Sequence, residues 1–366
     1  GSDNDGAIRY NSTSNEWELS NDGGSFESIS TFSPNIFEAL QNVNGVRPQL
    51  NCNVCNTGDI HINGLEGPYT LVMIDGMPIV SGLSTVYGLS GIPNSLIEQV
   101  EIVKGPASSL YGSEAVGGLI NIITKSPENA PTVFADSFIN SWGELNVDAG
   151  FKAKVGEKAT LLFGTNYFKY DNPIDNNNDN FTDLTLQDRI SIFNKWDFKR
   201  KDNRKFSIAG RYFYEDRYGG ELQWNKNFRG GNEVYGESIY TSRFEILGKY
   251  QLPVNEHINL QFSYSDHDQN SVYGDTPYLA KQRIGFTQLV WDKLLKNHDL
   301  LFGAALRYNY YNDNTTATLV LHTPTSTTYK SRMHYKTRCK FTGIIVLDTC
   351  IKIVLKTQRL FHFFKT

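Results

Sequence analysis

From Pro131 onward, apolar and polar residues alternate with a period of two, the mark of strands with one apolar and one polar face. Across 184–198, Leu184, Leu186, Ile190, Ile192, Trp196 and Phe198 share one face, and Thr185, Gln187, Arg189, Ser191, Lys195 and Asp197 the other. The same split recurs at 206–214 (Phe206, Ile208, Tyr212, Tyr214), 258–264 (Ile258, Leu260, Phe262, Tyr264) and 302–310 (Phe302, Ala304, Leu306, Tyr308, Tyr310). Short turns are expected near Gly156, Asp202, Pro253 and Asn297, and long polar loops at about 170–183, 215–236, 267–281 and 312–328. Antiparallel strands with short turns on one rim and long loops on the other describe a transmembrane β-barrel. A soluble sandwich also alternates, because one face is dry and one wet.

The first third reads differently. Residues 1–30 are rich in Asn, Ser and Gly without sustained periodicity, and read as loop or disordered chain. Ser33-Pro34 suits a helix start, and Ile36, Leu40 and Val43 follow at helical spacing, so a short helix is expected over 34–43. Leu71–Ile74, Gln99–Lys104 and Leu119–Thr124 read as strands, with the turn Asp75-Gly76 closing the first and a helical turn at 93–97. The expected fold is an α+β domain over 31–130, followed over 131–330 by about nine antiparallel barrel strands.

Aromatic residues make up 13% of the 366-residue chain, with Tyr 20 and Phe 22, which suits aromatic girdles. No apolar run reaches the roughly 18 residues of a membrane-spanning helix, which says nothing against a barrel. The net charge of -4 suggests no particular affinity for nucleic acid. The tail, residues 331–366, is atypical: eight basic residues stand against Asp348 alone, while the first 330 residues are acidic overall. That reversal, where another alternating strand is expected, points to a shifted reading frame or an early end near residue 330.

Two segments carry the strongest signal: GLEGPYTLVMIDG at 64–76 and IEQVEIVKGPASSLYGSEAVGGLINIITK at 97–125. They closely resemble the plug of TonB-dependent outer-membrane receptors, whose pattern is an LxxxDG strand and turn followed by IExxEIxxGPxSxLYGxxAxGGxINIxTK. The second match is almost unbroken, and a looser resemblance runs from about Ser33 to Tyr329. Glycines 105, 112, 117 and 118 suit a domain folded tightly inside a cylinder. Glu98, Glu101 and Lys104 are read either as contacts to a polar barrel wall or as a solvated charge cluster. Enzyme signatures are missing from the sequence: it has neither a phosphate-cradling loop, nor a G-x-S-x-G elbow, nor a zinc-binding H-E-x-x-H helix.

Candidate site residues fall in three places. Cys52-Asn53-Val54-Cys55 supplies a C-x-x-C pair that closes a small disulfide in an oxidising periplasm, or else contacts a metal chelate. The loop 51–58, through Cys52, Asn53 and Cys55, is expected at the plug's outer tip beside the substrate. In 81–91, Ser84 and Tyr87 are the candidate ligand contacts by resemblance, with packing of Tyr87 on the barrel wall as the other reading. Asp175, Asn177, Asp179 and Asp183 stand at positions 1, 3, 5 and 9 of a loop, the oxygen spacing of a Ca²⁺ site, although Asn180 replaces the glycine and Leu186 the bidentate glutamate.

The resemblance implies uptake of a scarce nutrient (ferric siderophore, haem, cobalamin or another metal chelate) across the outer membrane of a Gram-negative bacterium. It implies outer-membrane lipid and the TonB–ExbB–ExbD complex as partners. A non-transporting surface receptor or adhesin is the alternative. Plugged barrels of this class have about 22 strands, and residues 131–366 suffice for about ten at the usual strand length. An open half-barrel leaves unpaired backbone groups facing lipid, each costing several kcal/mol.

Overall fold

The computed structural model describes residues 6–11, 16–20, 27–29, 36–52, 57–80, 91–106, 115–295, 298–316 and 336–337. The first domain is built on a seven-stranded sheet. Its strands are β1 (Gly6–Asn11), β2 (Glu16–Ser20), β3 (Glu27–Ile29), β6 (Thr70–Ile74), β7 (Met77–Val80), β8 (Ile97–Lys104) and β9 (Gly118–Thr124), in the order β3-β2-β1-β8-β9-β6-β7. The β6–β9 pair is parallel and the other pairings are antiparallel. A separate hairpin pairs β4 (Val46–Cys52) with β5 (Thr57–Ile62), and α1 (Ile36–Ala39) runs into a tight turn at Leu40–Asn42.

Burial explains these elements. Every residue of β6 is buried, as are Gly118–Asn121, Ile122 and Thr124 of β9, so both strands lie at the centre of the domain. Ile36 and Leu40 of the helical turn share one core with Ile60, Ile62, Val72, Val100 and Ile120. Gly118 has φ +146, and a Cβ there would stand 2.3 Å from the carbonyl oxygen of Val103. Gly118, the second of the motif's paired glycines, therefore lets β9 lie against β8 at a place where no side chain fits.

The N-terminal segment corrects the expectation of a loop or disordered stretch over 1–30. Gly6–Ile8 pair with Val100–Ile102 of β8, and β2 and β3 extend the sheet from there. Each strand has at most six residues, too few for a period of two to stand out in the sequence. The order comes from the open edge of β8, whose backbone groups need partners.

The remaining strands form one meander, each pairing antiparallel with the next: β10 (Val133–Ile139), β11 (Leu145–Val155), β12 (Ala159–Tyr170), β13 (Leu186–Phe198), β14 (Phe206–Gly220), β15 (Gly236–Gln251), β16 (His257–Tyr273), β17 (Thr276–Leu295), β18 (His298–Asp313) and the short β19 (Lys336–Thr337). This sheet is unclosed: among the described residues, β10 and β19 pair on one side only. It wraps the first domain, because Leu162, Phe193, Ala209 and Leu247 of the wall join that domain's core.

Its faces are inverted relative to a soluble protein. Ile190, Tyr212, Tyr214, Tyr264, Leu306 and Tyr308 face outward at 37–47% exposure. On the opposite face of the strands Arg189, Ser191, Arg211, Glu215, Thr241, Arg243, Glu245 and His267 are at most 3% exposed. A sandwich would bury the apolar face against a second sheet. Here the apolar face is left outside, as a barrel in lipid requires.

The expected long loop at 267–281 is a correction. β16 and β17 continue through it and meet in a two-residue turn at Gly274-Asp275, with Tyr273 opposite Thr276. Beyond Tyr264 the outward positions become charged, and Asp266 pairs across the strands with Arg283 and Asp268 with Lys281, each at 2.9 Å. With both faces polar, the hydropathy alternation vanishes while the hydrogen-bonded ladder persists.

Candidate functional site

The plug touches the wall through the Asp75-Gly76 turn. Both residues have positive φ (+50 and +79), the requirement of a tight two-residue hairpin turn joining β6 to β7. Asp75 then acts as a hub. Its Oδ1 accepts the Thr124 N–H at 2.9 Å, and its Oδ2 accepts the Thr124 hydroxyl at 2.8 Å. Lys195, projecting inward from β13, donates to Asp75 Oδ2 at 3.0 Å and to Thr124 Oγ1 at 2.8 Å. The two motif segments are thus tied to each other and to the barrel by one carboxylate.

Three further contacts fix the plug. The Ser126 hydroxyl donates to Asp197 at 3.1 Å, the Ser95 N–H to Asp148 at 3.4 Å and the Ser263 hydroxyl to the Pro78 carbonyl at 3.4 Å. Leu96 packs so closely on β12 that a Cβ at Gly164 would lie 2.6 Å from its Cδ1. Of the charges expected at the wall, Glu101 instead accepts hydrogen bonds inside the plug from Asn121 (2.8 Å) and Gln99 (3.0 Å), and Glu98 is exposed.

Higher on the inner wall, buried arginines and glutamates alternate. Arg211 grips Glu245 with two hydrogen bonds, Nε at 2.6 Å and Nη2 at 3.0 Å, while Arg243 donates to the same carboxylate. Glu215 accepts from Arg217 at 2.5 Å and from Gln187, with Arg189 at 3.7 Å. Each of these carboxylates carries two or more cationic or amide donors, the condition under which buried charge is tolerated. Sequence reading marked Arg189 as polar-face but placed Glu215 and Arg217 in the loop expected at 215–236, whereas β14 runs on to Gly220; their pairing requires the register of β13 to β15.

At the long-loop rim, loops 171–185 and 221–235 dock together. Thr182 N–H donates to the Gly220 carbonyl at 2.8 Å, Leu222 N–H to the Asn180 carbonyl at 2.9 Å, and the Phe181 and Tyr235 rings lie 6.2 Å apart. The Tyr235 hydroxyl donates to Glu237 at 2.7 Å; that bond, with partial burial, pushes the phenol up to about 12. Lys226 is raised above its ordinary value chiefly by its hydrogen bond to Asp216 at 2.7 Å.

Within the first of these loops Asp175 accepts the N–H groups of Asp179 (3.2 Å) and Asn180 (2.9 Å), Asp179 accepts that of Phe181 (2.9 Å), and Asp183 that of Asn176 (2.8 Å). Asn177 bonds Asp179 through its side chain at 2.9 Å. These side-chain oxygens fold the loop through hydrogen bonds. Among the described residues, no group of three or more His, Cys, Asp or Glu is placed to hold a metal ion. Of the other candidates, Asn53, Cys55, Ser84 and Tyr87 lie outside the described residues, and of Cys52 only the backbone, at the end of β4, is described.

Comparison with known proteins agrees with this architecture. Residues 27–119 match the family model of the TonB-dependent Receptor Plug Domain. The chain is similar in structure to the siderophore receptor PiuA from Acinetobacter baumannii, at TM-score 0.57 and 15% identity, over 76% of this chain and 43% of that one. The ferric yersiniabactin uptake receptor FyuA from Yersinia pestis gives TM-score 0.57 and 15% identity, over 75% and 45%. A ferric enterobactin receptor, PfeA from Pseudomonas aeruginosa, gives 0.56 and 15%, over 78% and 48%. The chain spans less than half the length of each of these structures. A plug domain thus lies against the inner face of an outwardly apolar, unclosed antiparallel sheet. Residues 27–119 match the plug domain of TonB-dependent receptors, and the sheet that follows has the fold of part of the barrel in the structures named above.

Proposed function

We propose that this chain is the plug and leading barrel strands of an outer-membrane receptor, in a Gram-negative bacterium, that imports a ferric siderophore or a related metal chelate such as haem or cobalamin. The observation carrying the proposal is the pairing of an outward apolar face with an inner face that grips the plug through Lys195 and Asp75. A lumen filled by a folded domain passes nothing until work is done on that domain, and no phosphate-cradling sequence supplies the work from within. The energy would come from outside, through the TonB–ExbB–ExbD complex. The siderophore receptors it resembles favour an iron chelate as cargo. Ligand would enter between the docked loops and the plug's outer tip, where the loop containing Cys52, Asn53 and Cys55, and Ser84 and Tyr87, are the proposed contacts.

The test is accumulation of radioactive iron, supplied as a panel of siderophores, in cells carrying the gene's whole product. Uptake of at least one chelate that stops when a protonophore is added supports the proposal. Ligand binding at the surface with uptake unaffected by the gene would instead indicate the non-transporting receptor.

A further inference from the structure

A cavity of about 740 Å³ lies between the Asp75 turn of the plug and the wall strands β13 to β15, at the short-turn rim. Six basic residues line it: Lys195, Lys199, Arg200, Arg204, Lys205 and Lys249. Against them stand three acids, Asp75, Glu128 and Asp197, in a chain whose net charge is -4. The excess of positive charge is local and lines one open-mouthed cavity.

Half of these cations are already engaged. Lys195 holds Asp75, Arg204 pairs with Asp202 at 3.0 Å, and Arg200 bonds the Gln251 carbonyl and, at 2.8 Å, the Tyr250 hydroxyl. Among the described residues, the ammonium groups of Lys199, Lys205 and Lys249 have no carboxylate at ion-pair distance. Lys249 is the most telling. It is half-buried on the inner face of β15, one register row below Leu247, with Ser207 on one side and Gln261 on the other. The charges it feels are repulsive from Lys205 and Lys195 and attractive only from Asp75, which Lys195 already occupies. Asp197 in the same row accepts from Ser126 instead. Half-buried charge without a counterion is unfavourable, as at Lys249, and the exposed Lys199 and Lys205 beside the same space add like charge that an anion would offset.

We propose that this cavity binds a small polyanion, bearing carboxylate or phosphate groups, with Lys249 at its base and Lys205 and Lys199 at its mouth. The site lies at the opposite end of the passage from the docked loops and does not depend on which nutrient enters there. It also bears on the plug's attachment: an anion beside Lys249 competes with Asp75 for Lys195, so occupancy weakens the hold of the wall on the turn.

The experiment is titration calorimetry on the full chain in detergent micelles, with citrate as the free polyanion and dihexanoyl phosphatidylglycerol as the lipid headgroup. Saturable citrate binding is expected. It should weaken about tenfold in Lys249→Gln, the loss of one charge-assisted hydrogen bond, and further when Lys205→Gln is added. Lys249→Arg, which keeps the charge, should stay within about twofold. If only the phospholipid binds, with the same lysine dependence, the site stands and its anion is a lipid phosphate. Should Lys249→Gln fail to fold by gel heat-modifiability, Lys205→Gln alone carries the comparison. Absence of saturable binding by both probes, or equal affinity in wild type and the glutamine variants, overturns the proposal.

Discussion

Lys195, on wall strand β13, reaches Asp75, in the plug's hairpin turn, with Nζ 3.0 Å from Oδ2, and touches Thr124 Oγ1 at 2.8 Å in the same reach. Three residues from three distant parts of the chain meet there, and two of them belong to the motifs that mark the plug. Asp75 also orders the plug internally by accepting the Thr124 N–H. The wall and the plug therefore share one acceptor, and loosening the first disturbs the second.

Replacing Lys195 with Met tests this directly. The Asp75 carboxylate loses its cation while keeping Thr124, at a cost of about 2 kcal/mol, the range for a hydrogen bond to a charged group. Hydrogen exchange at the Thr124 amide should accelerate more than at Ile120, deeper in the same strand. Equal protection of both amides in variant and wild type would show that the contact is incidental.

Glu245 is more tightly committed. It neutralises both Arg211 and Arg243 at 1% side-chain exposure or less. Glu245→Gln leaves two buried guanidinium groups short of a counter-charge and should destabilise the wall by about 3–5 kcal/mol. The denaturation midpoint in urea reads the effect. A shift no larger than that of an outward substitution such as Tyr212→Phe would contradict the assignment.

Close packing makes a third case. Gly164→Val places two methyl-bearing branches where Leu96 now lies, so the plug must retreat from β12. Overpacking of this kind costs about 1–3 kcal/mol. Truncating the intruder in the same molecule, Leu96→Ala, should restore much of it in a double-mutant cycle. Additive effects of the two changes would mean the residues do not meet.

The loop pair offers a pH test. Tyr235 has its phenol raised to about 12 by the bond to Glu237, against about 10 when unfolded. A group raised on folding contributes stability that is complete below its unfolded value and disappears as pH climbs through its folded one. The clasp is therefore whole up to about pH 10 and lost toward pH 12. Comparing ultraviolet phenol titrations of wild type and Tyr235→Phe should show that the missing phenol is a late one; disappearance of an ordinary phenol would sink the clasp.

Much of this architecture is legible in the residues. The alternation at 206–214 and 302–310 assigns the outward face, because lipid and lumen sort side chains at every second position. The Asp75-Gly76 turn and the strands around it follow from local chemistry alone. Where sequence reading fails, the missing quantity is partnership. Gly6–Asn11 is ordered by the edge of β8, about ninety residues distant along the chain, and Ala280–Arg283 by charges opposite them on β16. The hub at Asp75 is hidden for the same reason: Lys195 reads as one of several polar-face lysines until the register sets it over the plug. Cys55 and Tyr87 stand out in the sequence, yet lie outside the described residues, as does the side chain of Cys52.

Which face of the sheet meets lipid decides the rest. Nitroxide labels placed singly at Ile190, Tyr212, Tyr264 and Leu306, in the full chain inserted in lipid vesicles, report it through their relaxation by oxygen, which dissolves in lipid, and by a water-soluble nickel complex. Labels at these positions should respond strongly to oxygen and weakly to nickel, and a label at Ser207, on the inner face, should show the reverse preference. Strong nickel relaxation at the four outward positions would contradict a membrane barrel and, with it, the receptor.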